Sequence, residues 1–232
     1  MSEQPPFTLV FEHPQFVVVD KCANCNFHDE GEVGAGLFNQ VKAALACEEL
    51  YPVHRLDKLT SGLVIMAKTK AAAQAFQQAF EAHQIEKFYL ALSHDKPRKK
   101  QGLIKGDMAK GRRGSWKLLR SNENPAQTQF FSYSIGDGLR CFMVRPLTGR
   151  THQIRVALKS IGSPISGDSL YGGKGECDRG YLHAYGLRFS IFGEDFNFIC
   201  RPSQGVHFIQ DGCCQLLESI AFPWQLKWPQ IK

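Results

Sequence analysis

Apolar and polar positions define most of the elements along this chain. Thr8 to Glu12 and Phe16 to Asp20 read as two extended stretches with a His13-Pro14 turn between them. Leu37, Val41, Ala44 and Leu45 then fall at helical spacing within residues 36–47. Leu63 to Ala67 reads as a buried strand. Residues 70–83 are rich in alanine, with Phe76 and Phe80 four apart, which predicts an amphipathic helix. Phe88, Leu90 and Leu92 alternate with Tyr89 and Ala91, so this stretch predicts a strand with two distinct faces. Gln127 to Tyr133 and Leu139 to Arg145 predict strands joined by a Gly136-Asp137-Gly138 turn. Past Pro146 and Gly149, residues 151–161 place Ile154, Leu158 and Ile161 on one helical face, with Arg150 and Arg155 near its start. A final hairpin is expected over 182–199 around Gly193-Glu194-Asp195, and the tail after Pro202 is weakly patterned. Strands and helices mix without the regular alternation of a doubly wound fold, so the class is α+β.

Composition narrows the function classes. With 43% hydrophobic and 22% charged residues, the 232-residue chain is neither disordered nor fibrous. It is long enough to bury a core without disulfides or metal. No apolar run approaches the roughly 18–20 residues of a membrane span. The start, Met1 to Phe7, is polar and has no signal core. The expectation is a soluble, cytosolic protein. The eight cysteines are then reduced thiols. Cys22, Cys25 and His28 could supply three zinc ligands, but a structural site usually pairs two clusters, so no metal is expected.

Charge is unevenly spread. The chain carries a net +6, yet residues 96–120 hold ten Lys or Arg against Asp107 alone, and the remainder is net negative. Lys99, Lys100, Arg112 and Arg113 belong to this segment. Its glycines at 102, 106, 111 and 114 predict a long, mobile excursion. Local basicity fits a polyanion-binding feature; the plainer reading is a solvated loop that aids solubility.

Polar residues crowd between apolar runs in four segments. In His54-Arg55-Leu56-Asp57-Lys58-Leu59-Thr60-Ser61-Gly62, Asp57 could brace the turn by accepting backbone N–H bonds, or stand as a catalytic carboxylate held at the end of a strand. In Lys87-Phe88-Tyr89-Leu90-Ala91, Tyr89 is a core tyrosine or a stacking face for a nucleobase. The third segment runs from Leu147 to Arg155. Arginines at a helix start oppose the macrodipole unless an anion sits there, either a phosphate or an aspartate from elsewhere. The fourth runs from Gly162 to Gly172.

These segments, in this order, resemble the RluA-type pseudouridine synthases. The matching stretches are HRLDKLTSG, KFYLA, LTGRTHQIR and GSPISGDSLYG, followed by LHAYGLRF, and together they cover roughly residues 7–202. One departure is Lys21-Cys22-Ala23-Asn24, where relatives tend to carry a Lys-Pro-Ala-Gly type of turn. The resemblance implies a mixed, largely antiparallel sheet flanked by helices and loops around a central catalytic cleft. It implies a single catalytic domain over 1–232, without a separate N-terminal RNA-binding module. The implied reaction exchanges the N1–C1′ bond of a uridine in RNA for a C5–C1′ bond, with no net redox change and no cofactor.

By the same resemblance, Asp57 is the catalytic aspartate and Arg155 the cation that keeps it charged. Tyr89 stacks on the uracil and assists loss of the C5 proton, while Arg55 fills the space left by the extruded base. Arg150 binds phosphate or braces its loop, and Asp168 and Tyr171 organise the loop under the cleft. His54 and His152 are scaffold. The implied partner is a structured ribosomal or transfer RNA, bound by a monomer with no membrane and no protein partner. The alternative is a catalytically idle RNA-binding or ribosome-assembly factor on the same scaffold.

Overall fold

The computed structural model describes residues 6–230, and within them both the alternating and the unbroken apolar stretches become strands. In chain order these are β1 (Phe7–Glu12), β2 (Phe16–Lys21), β3 (Tyr51–Pro52), β4 (Ser61–Ala67), β5 (Glu86–Ser93) and β6 (Gln101–Gly106). They continue as β7 (Met108–Lys110), β8 (Trp116–Leu118), β9 (Ala126–Gly136), β10 (Leu139–Pro146), β11 (Leu182–Ile191) and β12 (Glu194–Ile199). The helices are α1 (Leu37–Ala44), α2 (Lys70–Glu81), α3 (Gln153–Ser160) and α4 (Asp211–Ser219). One ten-stranded sheet runs β1-β2-β4-β11-β5-β10-β9-β6, with β12 on β11 and β3 on β4. Among the described residues only β4 and β11 pair in parallel, through His183 opposite Ser61 and Ala184 opposite Gly62. The fold is therefore α+β with a mixed, largely antiparallel sheet. No described helix is long and apolar enough to cross a membrane.

The pattern of β4 explains why its run is unbroken. Leu63, Ile65 and Ala67 meet Ala72, Phe76 and Ala79 of α2, while Val64 and Met66 meet Leu37 and Val41 of α1 on the other face. Both faces are dry, so no position can be polar. Thr69 caps α2 by accepting the Ala72 N–H at 3.1 Å, and full burial of Phe76 contributes about 1.5–3 kcal/mol. The β5 strand lies between β10 and β11, so Ala91 is buried as fully as Leu90 and Leu92. On the face that carries Ala91 and Ser93, Lys87 and Tyr89 stay partly open.

Two segments differ from the sequence expectation. The basic stretch is not a loose excursion: Gln101–Gly106 extends the main sheet against β9, and β7 and β8 form a separate two-stranded ribbon. Its glycines serve close approach as well as turning. A Cβ on Gly106 would lie 2.3 Å from the Leu119 carbonyl oxygen. The tail after Pro202 is also ordered into the core. Cys213 and Leu217 of α4 are buried, and the rings of Trp224 and Trp228 lie tilted against Phe88 at 6.1 and 5.9 Å between centroids. Two leucines and two cysteines on a nine-residue helix were too few to show a period.

Candidate active site

The loop that carries Asp57 joins β3 to β4, and neighbours hold it from several sides. His54 Nε2 accepts the Ile65 N–H at 2.9 Å. Burial, and then the charge of Lys87, hold this imidazole down at about 3, so it is a neutral acceptor. From below, Lys21 Nζ donates to the carbonyls of Cys22, Lys58 and Thr60 at 2.9, 3.2 and 2.7 Å. Burial pushes that amine down to about 8. Gly62 then turns the chain into β4 with φ +106, and any Cβ there would sit 2.3 Å from the Ala184 carbonyl oxygen. Only glycine lets β4 enter beside β11 at this distance.

The Asp57 carboxylate does not brace this turn. The turn closes through the Asp57 main-chain carbonyl, which accepts the Thr60 N–H at 3.0 Å. The side chain instead meets Arg155 on α3, with Nη1 donating to Oδ2 at 3.0 Å. The rest of the guanidinium fork grips Asp168, Nε to Oδ2 at 2.7 Å and Nη2 to Oδ1 at 2.9 Å. The anion expected at this helix start is thus a pair of aspartates. Burial disfavours the Arg155 charge, but the bonds and attraction of Asp168, and then of Asp57, outweigh it and push its pKa up. Bidentate geometry of this kind orients as well as binds. Among the described residues, Asp57 Oδ1 has no hydrogen-bond partner, so the oxygen opposite Arg155 is left for a substrate.

Two more side chains complete the wall. His152 precedes α3 in the left-handed conformation, φ 56 and ψ 20, with Nε2 3.9 Å from Asp57 Oδ2. The Tyr171 ring lies over the Arg155 guanidinium at 4.9 Å. Gln153 fixes the preceding loop: its Oε1 accepts from Thr148 Oγ1 and the Arg150 N–H, and its Nε2 donates to Gln127 O and Thr128 Oγ1.

Asp57, Arg55, Leu56, His152 and Arg155 form the partition between two hollows of about 440 and 450 Å³. One is lined by Asn24, Asn26, His28, Lys58 and Ser169. The other is lined by His54, Phe80, Lys87, Tyr89 and Arg150. Tyr89 is raised by burial and then by Asp57, so it stands there as a neutral phenol. This second hollow offers an aromatic face, a carboxylate and cations within one cavity, which suits a planar polar ring joined to a polyanion.

The structure therefore brings Asp57, Tyr89, Arg155, Arg55 and Arg150 to one place. Arg55 is exposed on the rim, and Arg150, also exposed, donates to Asn124 Oδ1. Lys99, Lys100, Arg112 and Arg113 are exposed and line neither hollow. Asn24 takes φ 60, the conformation a glycine would adopt in the divergent turn. Among the described residues no three His, Cys, Asp or Glu side chains are grouped to hold a metal. Sequence reasoning gave no role to Lys21, Lys87 or Gln153. A lysine closing the apolar β2 was the one visible signal.

Comparison with known proteins follows the same line. The family described as RNA pseudouridylate synthase matches residues 15–160. An uncharacterized RNA pseudouridine synthase of Haemophilus influenzae is 47% identical over 203 residues, 87% of this chain and 90% of that one. A ribosomal large subunit pseudouridine synthase C of Rickettsia bellii is 30% identical over 82% of this chain, which spans 66% of that protein's length. The structure of human RNA pseudouridylate synthase domain containing 1 superposes over the whole chain with a TM-score of 0.73 at 23% identity.

Proposed function

Because the chain belongs to the RNA pseudouridylate synthase family and is an isomerase acting on RNA, we propose that Asp57 is its catalytic aspartate and that its substrate is a structured ribosomal or transfer RNA. The observation that carries the reading is the shared Arg155 fork, which ties one oxygen of Asp57 and leaves the other facing the cavity. A scaffold that only bound RNA would have no use for this arrangement. The synthase C relative is named for the large ribosomal subunit, so ribosomal RNA is the first substrate to examine.

The target uridine leaves its helix at a cost of a few kcal/mol. Arg55, exposed on the rim, takes the vacated place, and Tyr89 offers its face to the uracil. The N1–C1′ bond breaks, the base turns, C5 bonds to C1′ and the C5 proton is lost while N1 gains one. Atoms and electrons balance without an electron carrier. Asp57 Oδ1 is the oxygen available to the nucleotide, and Arg155 stabilises the carboxylate throughout. Lys99, Lys100, Arg112 and Arg113 supply phosphate contacts outside the cavity. The protein works as a monomer in the cytosol, without a membrane or protein partner. Eight free thiols suit that reducing compartment.

The test is Asp57→Asn. Pseudouridine formation is expected to vanish while RNA is still bound and the protein still melts cooperatively. Product at the wild-type rate from a folded variant would sink the assignment. Mapping pseudouridines in total RNA from cells with and without the protein identifies the substrate.

A further inference from the structure

His152 is the first residue to examine, because its backbone is strained for a reason the helix does not explain. It occupies the N-cap of α3 in the left-handed region, yet its side chain makes no cap hydrogen bond. Its ring instead lies between two oxygens: Nδ1 is 2.9 Å from the Tyr171 hydroxyl, and Nε2 is 3.9 Å from Asp57 Oδ2. The Tyr171 oxygen in turn accepts the Trp116 backbone N–H at 2.8 Å. Trp116 belongs to β8 of the basic ribbon.

Given its two ends, this chain of groups has one arrangement in which every donor in it finds an acceptor. A backbone amide can only donate, and a carboxylate can only accept. Burial raises the Tyr171 pKa, so the phenol keeps its proton, and in that arrangement the O–H donates to His152 Nδ1. Burial also lowers His152, against the pull of Asp57, so the ring is neutral. Its remaining proton is then on Nε2, the nitrogen that faces Asp57. The opposite tautomer would point a lone pair at the carboxylate and leave the Tyr171 proton without an acceptor.

We propose that His152 is a positioning residue for the isomerisation, its Nε2–H closing onto Asp57 Oδ2 in the RNA complex, with Tyr171 and the ribbon amide of Trp116 setting the tautomer. At 3.9 Å the contact is open in the free protein, as active-site hydrogen bonds often are before substrate arrives. Once closed, Arg155 and His152 hold the same oxygen of Asp57 from two sides, and Oδ1 alone addresses the nucleotide. The inference rests on the catalytic role of Asp57.

Nitrogen-15 NMR of the wild-type protein reads the tautomer directly, and an Nε2–H imidazole is expected at neutral pH. An Nδ1–H imidazole would overturn the proposal whatever the variants do. Two substitutions then separate position from structure. His152→Asn suits the left-handed backbone and can reach Tyr171, but cannot reach Asp57. Its kcat is expected to fall about tenfold, the size of a lost hydrogen bond to a charged group, with KM little changed. His152→Gln places an amide N–H near the position of Nε2 and is expected to recover most of that loss. A wild-type kcat for His152→Asn, or no recovery in a folded His152→Gln, means that His152 only shapes the loop. Failure of the Asp57 reading shows separately, as product from Asp57→Asn.

Discussion

Arg155 and Arg112 carry the same guanidinium, but one is 6% exposed and divided between two aspartates, while the other stands in solvent at the tip of the β7–β8 ribbon. Around Arg155 each hydrogen bond has a fixed partner, because removing a charge from water costs several kcal/mol unless geometry returns it. Among the described residues, Lys99, Lys100, Arg112 and Arg113 make no ion pair. Solvent screens them, and they attract a polyanion from a distance without orienting it. Positive charge thus does two jobs in this chain. Buried, it sets the direction of a carboxylate; exposed, it is what we propose gathers the RNA.

Substitution at Asp168 is the severest way to break this contrast. In Asp168→Asn an amide N–H faces a guanidinium N–H, and the buried Arg155 loses its bidentate partner. A loss of about 3–5 kcal/mol in stability is expected, with activity abolished even where the protein remains folded. Denaturant unfolding beside the product assay checks both. A loss below ~1 kcal/mol would mean that the pair is no more than a surface contact.

Neutralising Lys99, Lys100, Arg112 and Arg113 together acts on the other region. If all four touch phosphate, the slope of log affinity against log salt falls by about 3, and kcat at saturating RNA stays close to wild type. An unchanged slope would return the segment to a solubilising role. The same change should leave the melting temperature nearly untouched, since no buried contact is lost.

A smaller effect sharpens the contrast through pH. His183 is buried between Ser61 Oγ at 2.7 Å and the Cys200 carbonyl at 2.8 Å, and burial holds it down at about 3. Unfolded, it titrates near 6.5. Between these values the unfolded chain binds a proton that the folded chain refuses, so stability falls as pH drops below about 6.5. His54 adds to the same trend. Melting temperatures from pH 8 to pH 5 should be flat at first and then decline. A flat curve throughout would place both rings in water.

Local pattern was enough for β2, β4, α2 and the β9–β10 hairpin, because alternation, an unbroken apolar run or a four-residue phenylalanine spacing is written in neighbouring residues. Motif resemblance was enough to bring Asp57, Tyr89 and Arg155 to one site. The basic segment was misread because its glycines say only that the chain can bend. Whether Gly106 bends or lets Leu119 approach is decided by a residue 13 positions away, just past β8. The tail was missed because Trp224 and Trp228 are placed by residues far away in sequence, Phe88 on β5 and, for Trp228, Phe131 on β9. The sequence by itself determined the α+β class and the inventory of reactive groups, since these depend on residues near each other along the chain. Tertiary structure alone decided that Arg155 divides its fork between Asp57 and Asp168, that Lys21 holds the catalytic loop by its carbonyls, and that His152 faces Asp57. Such pairings depend on distances of a few ångströms between side chains far apart in sequence, and those distances exist only after the sheet has formed.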